Sequence, residues 1–201
     1  MVNTITTRKG EVVHTPSFIT KLFNHPLAAW LWLPIRVWLG WQWLEAGLHK
    51  LESATWMQTG SALQGYWTKA IAVPATGSAP IHYAWYRAFL TFMLNAHQYT
   101  WFAKFVAVGE FLVGVALILG IFTGFSALMG GLMNWNYLMA GSASTNPMLL
   151  LLAVFLLLAW KVAGYIGADR VLVPWLAGFW TRKEKKVATS PAGLPRGAEA
   201  R

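Results

Sequence analysis

One carboxylate inside an otherwise apolar, helix-length run constrains this chain more than any other feature. The stretch from Phe105 to Leu119 carries Glu110 and no other charge. A charged group at bilayer depth costs roughly 2.5–3.5 kcal/mol on insertion scales. Glu110 is therefore expected to turn inward among other helices and to be neutralised or paired there. That makes it both a marker of the bundle interior and a candidate working group.

The surrounding composition agrees with a membrane setting. Hydrophobic residues make up 56% of the 201 residues and charged residues 11%, with a mean hydropathy of +0.45; a soluble domain is rarely so apolar. Thirteen Trp are present. Many, such as Trp30, Trp56, Trp101 and Trp175, lie near the ends of apolar segments, where amphipathic rings favour headgroup depth. Four spanning helices are expected: one from Leu27 or Pro34 to Leu48, then Trp101–Leu119, Gly124–Gly141 and Pro147–Ile166. Each approaches the roughly 20 residues that a bilayer core demands. Pro34 suits a helix start, with 22–33 as a separate interfacial turn. Arg36 and Glu45 within the first apolar segment, and the lack of a small-residue cleavage site after it, argue against a cleaved signal peptide.

The short joint Gly120–Thr123 forces the second and third helices to be antiparallel neighbours, with Thr123 a plausible cap. Asn146-Pro147 reads as a cap followed by a first-turn proline. The first connection, about residues 50–100, is too apolar for a linker. Leu63, Tyr66, Trp67, Ala70 and Ile71 fall at helical spacing, as do Trp85, Phe89, Phe92 and Ala96, and Pro74–Pro80 separates the two sets. These predict amphipathic helices that either lie on the membrane surface or cap the bundle. The fold class is thus all-α, an integral membrane four-helix bundle with amphipathic helices in its long first outer connection.

Ten of the sixteen Lys and Arg residues sit toward the two ends of the chain, before residue 27 or from Arg170 onward. An even number of spans puts both tails on one side, and the positive-inside rule makes that side cytoplasmic. The expected organisation is a cytoplasmic N-terminal tail (1–26), a membrane domain (27–175) and a basic cytoplasmic tail (176–201) unstructured beyond about Trp180, in a prokaryotic cytoplasmic membrane. The net charge of +9 fits anchorage on anionic lipid. No nucleic-acid-binding motif accompanies it, so nucleic acid is not expected as a partner.

The polar residues of the spans are the candidates for chemistry. Gln42, Glu45 and His49 share a face of the first helix. They form either a hydrated helix end or the wall of an outward-opening pocket, where Glu45 and His49 could exchange protons. Lys50 follows at the mouth. Arg36, nearly opposite and close to the inner end, either snorkels to the cytoplasm or supports the fold. Asp169 lies on the same inner side and could pair with it. Glu110 is either a structural carboxylate or a protonatable ligand-binding group, flanked by Gly109 and Gly114, which let neighbours approach. Asn134 and Asn136, about 200° apart on a helix, cannot serve one partner; one can hold helices together while the other lines a cavity. There is no cysteine, so thiolate metal ligands and Fe–S clusters are not available from this chain. The scattered histidines do not bracket a haem, no metal site is expected, and Walker, dinucleotide, zincin and serine-hydrolase motifs are missing.

Four stretches together resemble the DoxX/DoxD family: Arg36 to Lys50, Gly109 to Gly124, Asn134 to Tyr137, and Ala163 to Arg170. The resemblance spans about residues 34–175. It implies a small membrane protein of redox physiology, similar to the DoxD subunit of thiosulfate:quinone oxidoreductase, which passes electrons from thiosulfate to quinone beside a DoxA-like partner. On that basis Glu110 and Glu45 would carry protons, and His49, Lys50, Asn134 and Asn136 would bind substrates. Arg36, Asp169 and Asn146 would be structural. Quinone enters as a substrate. Other membrane subunits, a DoxA-like chain or further copies are the expected protein partners. The alternative is a non-catalytic accessory subunit of a respiratory or redox complex, its aromatics and glycines serving to pack other chains. A transporter is less consistent, because no inverted repeat is visible.

Overall fold

The computed structural model describes residues 4–6 and 12–188, with side chains from His14 to Gly178. Apart from a short antiparallel ribbon of β1 (Thr4–Thr6) and β2 (Val12–His14), it is all-helical. The helices are α1 (Ser17–Asn24), α2 (Ala29–Glu52), α3 (Ala54–Met57), α4 (Ser61–Ile71), α5 (Ala84–Asn95), α6 (Tyr99–Leu119), α7 (Thr123–Met139), α8 (Asn146–Leu158), α9 (Trp160–Ala163) and α10 (Asp169–Ala188).

The closest packing joins α2 to α6, and glycines explain it. A Cβ added at Gly114 would overlap the Leu44 backbone, and one at Gly47 would overlap the backbone of Phe111. Small residues let two helix backbones approach in this way. On the other side α7 packs against α8, where a Cβ at Gly131 would lie 3.5 Å from the Ala153 methyl. Trp32, Leu39, Trp43, Val113, Leu117 and Leu156 fill the space between the four helices.

A second core belongs to the long connection. Leu63, Trp67 and Ala70 of α4 pack with Tyr86, Leu90 and Met93 of α5, over Ala103 at the start of α6 and Ala140 just beyond α7. The two predicted amphipathic helices therefore exist and cap one end of the helix bundle. Helix α4 buries the expected Leu63, Trp67 and Ala70, but α5 turns Tyr86, Leu90 and Met93 inward and leaves the expected Trp85, Phe89 and Phe92 exposed.

At the other end the chain folds back on itself. The α6–α7 joint turns through Gly120, which adopts a left-handed backbone (φ 68°), while the Ile121 amide returns to the Ala116 carbonyl at 2.8 Å. The segment after α9 docks there: the Ala168 and Asp169 amides donate to the Leu119 and Gly120 carbonyls.

Several boundaries differ from expectation. Pro34 lies inside α2 rather than at its start. The Trp32 indole is anchored to the Leu22 carbonyl at 2.9 Å, so the helix begins earlier and forgoes only the bond that Pro34 cannot donate. The last expected span stops at Leu158. The break falls at Ala159, whose carbonyl accepts from the Val162 and Ala163 amides of the short α9, and beyond it the Ala163 and Ile166 carbonyls accept from the Arg36 guanidinium. Asn146 is not the cap of α8. Thr145 holds that position, and the Asn146 side-chain Nδ2 donates back to the Ser142 carbonyl. The C-terminal segment is helical to Ala188, consistent with its run of helix-forming Arg, Lys and Glu; the expectation of an unstructured tail otherwise falls on 189–201, outside the described residues.

Among the described residues, Tyr99–Leu119 is the one helix long and apolar enough to cross a membrane, and Asn146–Leu158 is a shorter apolar one. On α6, Phe105, Leu112 and Leu119 are exposed at seven-residue intervals. That leaves an apolar stripe on the outside of the bundle.

Candidate functional site

Glu110 sits where the sequence places it, on the inward face of α6, with 1% of its surface exposed. Its two carboxylate oxygens have different partners. Oε2 accepts from Lys50 Nζ at 2.5 Å and Oε1 accepts from the Tyr137 hydroxyl at 2.5 Å. Lys50, at the end of α2, is 19% exposed, and its ammonium lies 5.2 Å from the centre of the Trp56 ring. The ammonium is thus held between a carboxylate and an aromatic face, each of which attracts it. A buried ion pair holds together only if the remaining hydrogen-bonding capacity is also used. Tyr137 supplies that third bond.

The pair forms part of the wall of a polar cleft of about 430 Å³ at the capped end of the bundle. Gln42, Glu45 and His49 all line it, so the predicted stripe on the first helix is a pocket wall and meets Glu110 there. Asn146, Ser142 and Ser144 contribute from the α7–α8 connection. Beyond this cleft lies an apolar chamber of about 470 Å³, bounded by α4, α5, α6 and α7. Tyr66 and Tyr137 line both spaces. Their rings pack edge to face, 6.2 Å between centres, and make the partition between cleft and chamber.

The remaining predicted residues are dispersed. Asn134 is fully buried in α7 and lines neither space. Asn136 belongs to the apolar chamber, where its amide donates to the Leu132 carbonyl and the Tyr86 hydroxyl donates to its backbone carbonyl at 3.1 Å. The two asparagines thus face different surroundings, as their angular separation requires.

Arg36 and Asp169 lie at the opposite end of α2 from Lys50. Arg36 is buried rather than snorkelling. Its Nη1 donates to the Ala163 carbonyl and Nη2 to the Ile166 carbonyl, each at 2.9 Å. No direct Arg36–Asp169 pair forms. The Asp169 carboxylate instead accepts from the Phe122 and Thr123 amides at 2.6 and 2.7 Å. It therefore caps α7 from a distance, where a carboxylate is favoured by orphan N–H groups and by the helix dipole. Thr123, the expected cap, is simply the first residue of α7.

Burial raises the Tyr86 phenol to about 12. Burial likewise raises Tyr66, partly offset by the neighbouring Ser142 hydroxyl. Both phenols are neutral donors at physiological pH.

Sequence reasoning passed over Tyr137 as a site residue, although a signal existed. The tight α6–α7 joint makes the helices antiparallel, and residues about equally far from it stand at similar heights. At 1.5 Å per residue, Glu110 is level with positions near 133, and Tyr137 is about one turn further along. A phenol at that height on the neighbouring helix is within reach of the carboxylate.

No curated protein and no solved structure matches this chain. The DoxX family model matches residues 31–135, or 105 of 201 positions. That stretch contains α6, most of α2 and α7, and both partners of the ion pair. The family, the apolar α6 and the outward apolar stripe together are consistent with a membrane-embedded domain, and the chain belongs to the DoxX family.

Proposed function

We propose that this protein is a quinone-linked oxidoreductase subunit of a prokaryotic cytoplasmic membrane, taking electrons from thiosulfate. In this reading α2, α6, α7 and the α8–α9 segment cross the bilayer as a four-helix bundle, with both termini cytoplasmic and the α4–α5 cap outside. The observation that carries the proposal is Glu110. It is a carboxylate at helix-bundle depth, bonded to Lys50 and Tyr137, on the border between a polar cleft and an apolar chamber. Quinone reduction consumes two protons with two electrons, and a buried carboxylate reached from a wet cleft is suited to supply them.

Glu45 and His49, exposed along the same cleft, would exchange protons with the outside. Because Lys50 is already engaged by Glu110, an incoming anion would meet His49 first. No redox cofactor is implied by the residues of the site, so electrons would pass either directly or through a partner such as a DoxA-like chain.

The test is to purify the protein in mild detergent, identify any quinone extracted with it, and measure thiosulfate-dependent quinone reduction. Glu110→Gln is expected to abolish most turnover while leaving the fold intact. The second reading, a non-catalytic accessory subunit, is favoured by the outward-facing Trp30, Trp38, Trp41 and Trp85, which offer aromatic surface to other membrane chains. It expects an inactive chain that co-purifies in fixed ratio with a larger enzyme.

A further inference from the structure

We infer that the apolar chamber seats a lipid-soluble ligand with an oxygen-bearing ring head and a hydrocarbon tail. In the same arrangement Tyr137 carries protons between that head and Glu110. This deepens the redox reading above and depends on it for turnover, though not for binding.

The chamber is polar at one end only. Tyr66, Tyr86, Asn136 and Tyr137 gather there, whereas Phe125 and Met129 mark the far end. Eleven residues of α7 separate Phe125 from Asn136, a length of about 16 Å at 1.5 Å per residue. The chamber is therefore elongated, which suits a ring with a tail better than a compact solute. Its side wall lies on the α6–α7 seam, where Phe105, Leu112 and Phe125 are exposed, so a tail can leave sideways into lipid. Aromatic side chains line the rest, as is common in sites for planar apolar molecules.

At the polar end Asn136 and Tyr86 already satisfy one another. Tyr137 differs. Its hydroxyl spends its one proton on Glu110 and keeps lone pairs free to accept. A head group bearing O–H can donate to the Tyr137 oxygen while Tyr137 hands its own proton to the Glu110 carboxylate. In the reverse direction, as the ring head takes up the electrons that thiosulfate supplies in the redox reading, a protonated Glu110 donates to the Tyr137 oxygen, and the phenol O–H breaks as a new O–H forms on the reduced ligand oxygen. The phenol oxygen takes the Glu110 proton in the same step, and Glu110 regains one from the cleft through Lys50. Each transfer leaves Tyr137 neutral and needs no movement of its ring.

The experiment uses the full chain in nanodiscs of quinone-free lipid, with a photoreactive azido-quinone bearing a ten-carbon tail as probe. Labelling is expected within 89–93, 105–113 and 125–133, and unlabelled decylubiquinone should compete with it. Gly109 faces open space in the chamber: a Cβ placed there would have Met133 Sδ as its nearest neighbour, 3.9 Å away. Gly109→Leu is expected to reduce labelling at least tenfold. Tyr137→Phe should keep the labelled positions, weaken decylubiquinone binding by up to tenfold (about 1.4 kcal/mol), and cut kcat at least a hundredfold. Labelling confined to the polar cleft or to the outer surface would overturn the seat. Tyr137→Phe with wild-type affinity and kcat would overturn the relay. Chamber labelling and the Tyr137→Phe affinity loss in a chain that reduces no quinone would uphold the seat and reject the redox reading instead.

Discussion

The Lys50–Glu110 pair is unequal, and the inequality has a measurable consequence. Glu110 is 1% exposed and Lys50 19%. Removing the lysine leaves a buried carboxylate with Tyr137 as its remaining partner, whereas removing the carboxylate leaves an ammonium on a flexible stem that can swing into the cleft. Breaking a buried pair by deleting one partner costs about 3–5 kcal/mol. The surviving Tyr137 bond to Glu110 and the partial exposure of Lys50 lower that figure for Lys50→Met to about 2–4 kcal/mol, allowing for solvent screening. Glu110→Gln should cost no more than about 1 kcal/mol, since the amide oxygen still accepts from Tyr137 or Lys50. The double variant Lys50→Met/Glu110→Gln should resemble Glu110→Gln alone, because the stranded charge is gone. Thermal unfolding of the three variants and wild type in one detergent reads all four corners of the cycle. Strictly additive losses, or a Glu110→Gln loss larger than that of Lys50→Met, would refute the reasoning.

Three further outcomes follow from other parts of the molecule. Asp169→Ala removes two charge-assisted bonds at the start of α7 and should lower stability by about 1–2 kcal/mol, with Asp169→Asn losing less; a melting curve checks both. Gly114→Leu should prevent α2–α6 contact and yield little monodisperse protein, whereas Gly65→Ala, where nothing lies within 4 Å, should be neutral or stabilising by about 0.5–1 kcal/mol; size-exclusion profiles separate the two. Because the folded-state phenol of Tyr86 is raised from 10 to about 12, its contribution is complete below pH 10 and is lost as pH climbs towards 12. A two-unit shift corresponds to about 2.7 kcal/mol at most, so Tyr86→Phe should flatten the alkaline limb of a stability profile between pH 10 and 12.

Much of the arrangement was legible because the relevant signals are local. Helical spacing located α4 and α5, and the short Gly120–Thr123 joint fixed α6 beside α7. The inward turn of Glu110 followed from the cost of exposing a carboxylate to lipid. Gln42, Glu45 and His49 proved to share a pocket because a common helix face needs no tertiary knowledge. What was not legible depends on contacts distant in sequence. Asp169 caps α7 across 46 residues, and Arg36 takes carbonyls more than a hundred residues away, so backbone groups occupy both side chains in place of their expected mutual pairing. Tyr137 read as an ordinary aromatic until its height beside Glu110 was set by the joint. The apolar chamber was hidden for a similar reason, since its four walls come from four different helices.

The most direct trial of the role given to Glu110 is steady-state reduction of decylubiquinone by thiosulfate, measured for wild type and Glu110→Gln in proteoliposomes. Quinone reduction by the wild type, falling at least a hundredfold in a variant of near-normal melting temperature, is the expected result. Equal rates in the two proteins would contradict the assignment of the buried carboxylate as the proton-carrying group.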